Sequence, residues 1–130
     1  LENNGIEVDE NLVFLTNNNE EFNAKIGEFY IKNKPDGVFA VDEHASVTAM
    51  KLGIQNGYKI PQELSIIGFA DGVWSRRMTP SLSTVSQHGP EIGEVAARLL
   101  IDKLESKEET FTFSTTTIKT ELRQRDSTKK

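Results

Sequence analysis

Lys59-Ile60-Pro61-Gln62-Glu63-Leu64-Ser65-Ile66-Ile67-Gly68-Phe69-Ala70-Asp71 is the stretch around which the rest of the chain can be placed. Leu64-Ser65-Ile66-Ile67 is too short and too β-branched for a helix. Few polar residues interrupt it, so a strand covered on both faces is expected. Gly68 to Gly72 then breaks the strand and sets Asp71 just past its carboxyl end. Ligands of open α/β sheets bind at that edge.

Upstream, two further strand-helix units are expected. Asn11-Leu12-Val13-Phe14-Leu15 is the first strand candidate, followed by Thr16 to Asn19, a run of helix-capping residues. Phe22, Ile26, Phe29 and Tyr30 recur at i, i+4, i+7 and i+8, which predicts a helix from Glu20 to about Asn33, stopped by Pro35. Asp36-Gly37 turns the chain into a second strand, Val38 to Val41. Asp42-Glu43-His44 opens the next helix, which runs to about Asn56 and is closed by Gly57. That helix has two apolar sides: Ala45, Ala49 and Leu52 on one, Val47, Met50 and Ile54 on the other. One side must cover the sheet, so the other is a candidate subunit contact. Strands alternating with helices at intervals of roughly 25 residues are the pattern of a parallel sheet.

Downstream of Asp71 lies an irregular segment from Gly72 to Ser81, containing Trp74, Arg76 and Arg77. A further strand is expected over Leu82–Ser86, and Pro90 falls at the start of a helix running to about Ser106. The apolar positions of that helix, Ile92, Val95, Ala96, Leu99, Leu100, Ile101 and Leu104, are wider than one amphipathic stripe and ask for extra cover. Lys107 to Glu109 is a solvated turn. Thr110–Thr117 has high β propensity, and a last strand is expected over Ile118–Leu122.

The 130 residues, 36% of them hydrophobic, allow one domain's worth of core. A net charge of −5 argues against nucleic-acid binding by this stretch itself, since such faces cluster Lys and Arg. No apolar run approaches ~20 residues, so no membrane span is expected. The absence of cysteine excludes disulfides and thiolate metal sites, and fits a cytoplasmic chain. Leu1 to Gly5 resembles the end of a helix closed by Asn4-Gly5, as if the chain were part of something longer.

The chemistry-bearing residues are few. There is no G-x-S-x-G nucleophile elbow. His44 and His88 stand alone, without metal-ligand spacing, and no metal or cofactor is expected. Gly68 to Gly72 lacks the lysine and glycine spacing of a phosphate loop. The suggestive constellation is a pair of carboxylates, Asp42 and Asp71, each at a strand end. They could hold a polyol, work as acid and base, or bind a divalent cation. Equally, Asp42 could cap its helix and Asp71 could stabilise its turn. Trp74 could stack on a sugar ring or fill the core. With no nucleophile or metal set, an enzyme is not expected.

Four segments together resemble the lactose/galactose repressor family of bacterial transcription regulators. Pro35-Asp36-Gly37-Val38-Phe39-Ala40 with Asp42-Glu43 is similar to the family's P-D-A-I-F-A-x-N-D. Gly57-x-x-Ile60-Pro61-x-x-Leu64-Ser65-Ile66-Ile67-Gly68-Phe69-x-Asp71 resembles G-x-x-V-P-x-D-V-S-V-I-G-F-D-D. Pro80-x-Leu82-Ser83-Thr84-Val85-x-Gln87 is similar to P-x-L-T-T-V-x-Q, and Arg125-x-Ser127-Thr128 to the closing R-x-S-T.

The resemblance implies the C-terminal effector-binding region of such a regulator. The implied fold is α/β, a three-layer sandwich with a mainly parallel sheet, like the type I periplasmic binding proteins. It divides the chain into a subdomain core over residues 1–86, a segment over 87–117 that crosses to a second subdomain, and a closing strand and tail over 118–130. It further implies a small sugar-like effector held between subdomains, a homodimer, and operator DNA read by a helix-turn-helix domain that this chain does not contain. Position by position, Asp42 matches an effector-contacting Asn. Ala70 stands where sugar-responsive members carry the first Asp of G-F-D-D, and Gly89 where several place an aromatic. Asn17 falls near another pocket position. The implied ligand contacts are thus Asn17, Asp42, Ala70, Asp71 and Trp74, and the implied dimer contacts Val47, Met50 and Ile54, with Val73 to Met78 nearby. The alternative with the same fold is a periplasmic sugar-binding protein of a transport system.

Overall fold

The computed structural model describes residues 2–106 and 114–129. Asn18 opens the first long helix by accepting the Glu21 N–H at 2.9 Å. The helix, α1, spans Asn19–Asn33 and ends at Lys34, whose left-handed backbone accompanies a bond from its N–H to the Tyr30 carbonyl. Strand β1 (Gly37–Ala40), helix α2 (Glu43–Gln55) and strand β2 (Ser65–Phe69) follow. A short helix α3 (Val73–Arg77) occupies the segment expected to be irregular. Strand β3 (Ser83–Ser86), helix α4 (Gly89–Glu105) and strand β4 (Glu121–Arg123) complete the order.

The sheet order is β1-β2-β3-β4. The first three strands run parallel, with Val38 opposite Ile66 and Gly68 opposite Thr84, while β4 returns antiparallel to β3. The expected α/β class and mainly parallel sheet are therefore present. The core is built by Ile26 and Tyr30 of α1, Met50 of α2, and Leu64, Ile66 and Leu82. The Tyr30 hydroxyl donates to the Ala49 carbonyl at 2.8 Å, so its polar tip is satisfied inside the core. Burial, with the Tyr58 hydroxyl nearby, raises the Tyr30 pKa above its ordinary value.

One glycine sets the distance between sheet and helix. A β-carbon on Gly68 would meet the Cβ of Ser46 at 2.9 Å and overlap its hydroxyl. Ser46 is held there by its own bond to the Asp42 carbonyl, at 2.5 Å. The buried face of α2 is accordingly Ser46, Ala49, Met50 and Gly53, at i, i+3, i+4 and i+7. Neither expected apolar stripe matches it. Met50 is fully buried in the core, so its side chain has no surface to offer a second subunit, and that part of the expected dimer contact is corrected.

Two expected strands are also corrected. Residues 11–15 do not pair into the sheet. The Asp9 carboxylate accepts the Asn11 N–H at 2.9 Å and nucleates a 3-10 turn over Glu10–Leu12, and Phe14 packs instead on Phe22 and Phe29 of α1. The closing strand covers Glu121–Arg123 rather than Ile118–Leu122, because its register is set by pairing with β3. Of the strand expected over residues 110–117, positions 110–113 lie outside the described residues, as does the 107–109 turn. Positions 114–117 have no strand pairing.

Helix α4 follows its expected span and carries Pro90 in its first turn. None of its residues is buried, and Leu99, Leu100, Ile101 and Leu104 are exposed.

Candidate functional site

The carboxyl ends of β2 and β3 and the start of α4 enclose a cavity of about 490 Å³. One wall is the corner Ala70, Asp71 and Gly72 with Arg76 of α3. The other runs from Ser86 to Glu91, and Arg123 of β4 closes the floor. The corner forms because Ala70 leaves the strand at φ 136°, a region that side-chain-bearing residues seldom enter. Its N–H still bonds the Val85 carbonyl at 3.2 Å, so the turn is pinned to β3 while its side chain lines the cavity.

Asp71 lies beneath this corner, with its side chain only 3% exposed. Its Oδ1 accepts from Arg125 Nη2 at 2.6 Å, Thr84 Oγ1 at 2.8 Å and Ser75 Oγ at 3.0 Å. Its Oδ2 accepts a short bond from Arg123 Nη1 and faces Arg76 Nη2 at 3.6 Å. Burial alone would raise its pKa. The hydrogen bonds from Arg125, Thr84, Arg123 and Ser75 outweigh that and hold the carboxyl well below the usual carboxylate range. Asp71 is thus a carboxylate tie, ionised at neutral pH, between the β2 corner, α3 and the returning tail.

The tail is sewn in by further bonds. Arg125 Nη1 donates to the Leu82 carbonyl at 2.6 Å, and Ser83 Oγ accepts the Arg125 N–H at 2.7 Å. Buried Ser127 donates to the Ile66 carbonyl at 2.6 Å and accepts the Ser83 N–H at 2.8 Å. Arg125 and Ser127 belong to the R-x-S-T segment, so a sequence signal for this clasp existed. Arg123 carried none, and Ser75 and Thr84 are not distinguishable from ordinary polar residues.

The expected ligand contacts divide. Ala70 and Asp71 come together at the cavity, Asp71 with its oxygens already engaged. Asp42 is exposed and caps α2, accepting the Ala45 N–H at 2.7 Å. Trp74 is 59% exposed on α3, and neither it nor Asp42 nor Asn17 lines the cavity. Exposed Asn17 presents its N–H to the Glu21 carboxylate at 3.0 Å, a bond within the α1 start. Sequence reasoning missed Arg76, Arg123 and His88 as cavity residues. A β-carbon on Gly89 would meet nothing within 4 Å, so the cavity has open space there. Among the described residues, no group of three or more His, Asp or Glu could hold a metal ion. No helix is long and apolar enough to cross a membrane among them.

The periplasmic binding protein-like domain matches residues 2–128. A ribose operon repressor from Halalkalibacterium halodurans is 38% identical over 96 residues, covering 72% of this chain and 28% of the repressor. The transcription regulator CcpA of Lactococcus lactis superposes with a TM-score of 0.83 at 28% identity, over 98% of this chain and 46% of that structure. A transcriptional regulator CelR–cellobiose complex superposes with the same score, 0.83, at 25% identity, over 96% of this chain and 38% of the other. The chain spans less than half the length of each.

Proposed function

We propose, on the premise that this chain belongs to the periplasmic binding protein-like domain family in its lactose/galactose repressor branch, that it forms the effector-binding and dimerisation part of a transcriptional regulator. The observation that carries this reading is the cavity between the Ala70–Gly72 corner and the Ser86–Glu91 connection, at the sheet edge where α/β folds receive small molecules. The three relatives support it: one is an operon repressor, and two are named as transcription regulators, one of them solved with cellobiose. The effector is sugar-like. The core over residues 2–86 and the closing strand hold one side of its site, and α4 leads toward a second subdomain. Effector binding favours one arrangement of the two, and that preference passes to a DNA-reading domain by linkage.

A second copy of the chain docks across α2 and α3. The surface comprises half-buried Val47 with Ile54, Val73 and Trp74, the last three exposed. Met50, being buried, supports this surface from below.

Thermal unfolding with a panel of sugars including ribose and cellobiose tests the effector reading. A ligand that binds only the folded state raises the melting temperature in proportion to ln(1 + [L]/Kd). A flat response across the panel overturns the sugar-like effector. Sedimentation of Trp74→Glu beside the parent chain tests the second copy: the parent should shift to dimer as concentration rises, and the variant should remain monomeric.

A further inference from the structure

On the side formed by Ala70–Gly72, Arg76 and Arg123 the cavity's hydrogen-bonding inventory is lopsided, while Ser86, Gln87 and Glu91 supply acceptors on the other. A neutral sugar hydroxyl is both donor and acceptor, so a site for it needs acceptors as well as donors. Here the carboxylate within the wall, Asp71, already receives Arg125, Thr84, Ser75 and Arg123. Ala70 supplies a methyl group where an acid would supply two acceptor oxygens. The donor side is richer. A guanidinium carries five N–H donors. Arg76 is 66% exposed, and among the described residues its one ion-pair partner is Asp71 at 3.6 Å, beyond hydrogen-bond range. Arg123 uses Nη1 on Asp71 and Nε on Glu121 at 3.2 Å, which leaves Nη2 without a partner among the described residues.

We propose that the molecule held in this cavity carries an anionic oxygen group, a carboxylate or a phosphate, received by Arg76 and Arg123. This rests on the effector reading above and narrows it from a neutral sugar to an acidic one. Planar guanidinium pairs suit both anions, because two parallel N–H groups meet two oxygens. The neighbouring charges agree with two exceptions, Glu91 and Glu43; the Glu43 carboxylate lies against Gly72, and its buried Oε1 has no hydrogen-bond partner among the described residues. Glu121 is engaged by Arg123 and faces His88 Nε2 at 3.8 Å. Glu91, exposed at the rim, opposes an anion and limits its affinity.

The test is a two-dimensional ¹H–¹⁵N NMR titration of the whole 130-residue chain. Its probes are sodium phosphate, sodium glucuronate, ribose, and sodium chloride at matched ionic strength. Saturable shifts at Ala70–Gly72, Gly89 and the Arg76 and Arg123 Nε–H groups are expected with phosphate, glucuronate or both, and not with chloride. Which anion responds separates a phosphate from a carboxylate source. Arg76→Ala should weaken the response about tenfold, the scale of one lost charge-assisted bond. Glu91→Gln should tighten it. Shifts with ribose and none with either anion overturn the anionic group but leave the effector reading intact. No shift with any of the three overturns both. Anion shifts that survive in Arg76→Ala and Arg76→Gln alike overturn the assignment to Arg76.

Discussion

Asp42 and Asp71 occupy equivalent places in the sequence, each just beyond the end of a parallel strand, and they meet opposite fates. Asp42 stays exposed, and its carboxylate accepts one backbone N–H from the helix that it opens. Asp71 is buried and receives hydrogen bonds from four side chains on three separate segments. Nothing local distinguishes them. The difference lies in what folds over each corner. Among the described residues, β1 is an edge strand and no strand returns across its tip, whereas β2 is internal and the antiparallel tail delivers two arginines onto its end. An acid at a strand end therefore acts as a cap or as a structural tie according to its position in the sheet order.

The two acids should differ most when each is removed. Asp71→Ala leaves Arg123 and Arg125 without their shared anion, and should destabilise the fold by about 3 kcal/mol in urea titration. That is the lower end for a broken buried pair, because Arg123 still reaches solvent. A loss no larger than that of Asp42→Ala would erase the distinction between the two acids. Next comes Ser127→Ala, which strands the Ser83 N–H and the Ile66 carbonyl and should cost about 2 kcal/mol. Gly68→Ala forces a methyl group against Ser46 and should cost about 1–2 kcal/mol by overpacking, measured the same way. Asp42→Ala removes a helix cap and should cost about 1 kcal/mol.

Acid titration separates the two residues in another manner. The Asp71 pKa is depressed in the folded chain, so on acidification the unfolded chain takes up its proton first. Its stabilisation is full above the ordinary value of 3.8 and falls away as pH drops below it. Asp71→Asn should therefore be less stable at neutral pH and show a shallower loss below pH 3.8 than the parent. Parallel acid profiles for the two would refute the tie.

Much of the architecture was legible because it is local. Helix α1 follows from the spacing of Phe22, Ile26, Phe29 and Tyr30, and α2 from its Asp42 cap and Gly57 stop. Strand β2 follows from its short β-branched run. The Leu12–Leu15 stretch has the same propensity as a strand yet forms none, since a strand needs a paired edge as well as suitable residues. The α2 stripes misled for a related reason. A helix covered mainly from one side needs one buried stripe, and the close approach at Gly68 chose the stripe through Ser46 and Met50. Trp74 illustrates the same limit: α3 is too short to advertise its helical period, so only the folded chain reveals that the ring faces outward.

From its sequence alone, this protein is an alternating α/β chain with a ligand-competent strand edge and a resemblance to sugar-responsive repressors. Those properties reside in hydrophobic periods, caps and short motifs, which act over a few residues. Tertiary structure decided which side chains line that edge. Arg123 and Arg125 reach Asp71 from 52 and 54 positions away. Contacts at that separation are set by strand order and by the return of the tail. The carboxylate that sequence spacing offered to a ligand is thereby spent inside the fold, and arginines are left facing the cavity in its place.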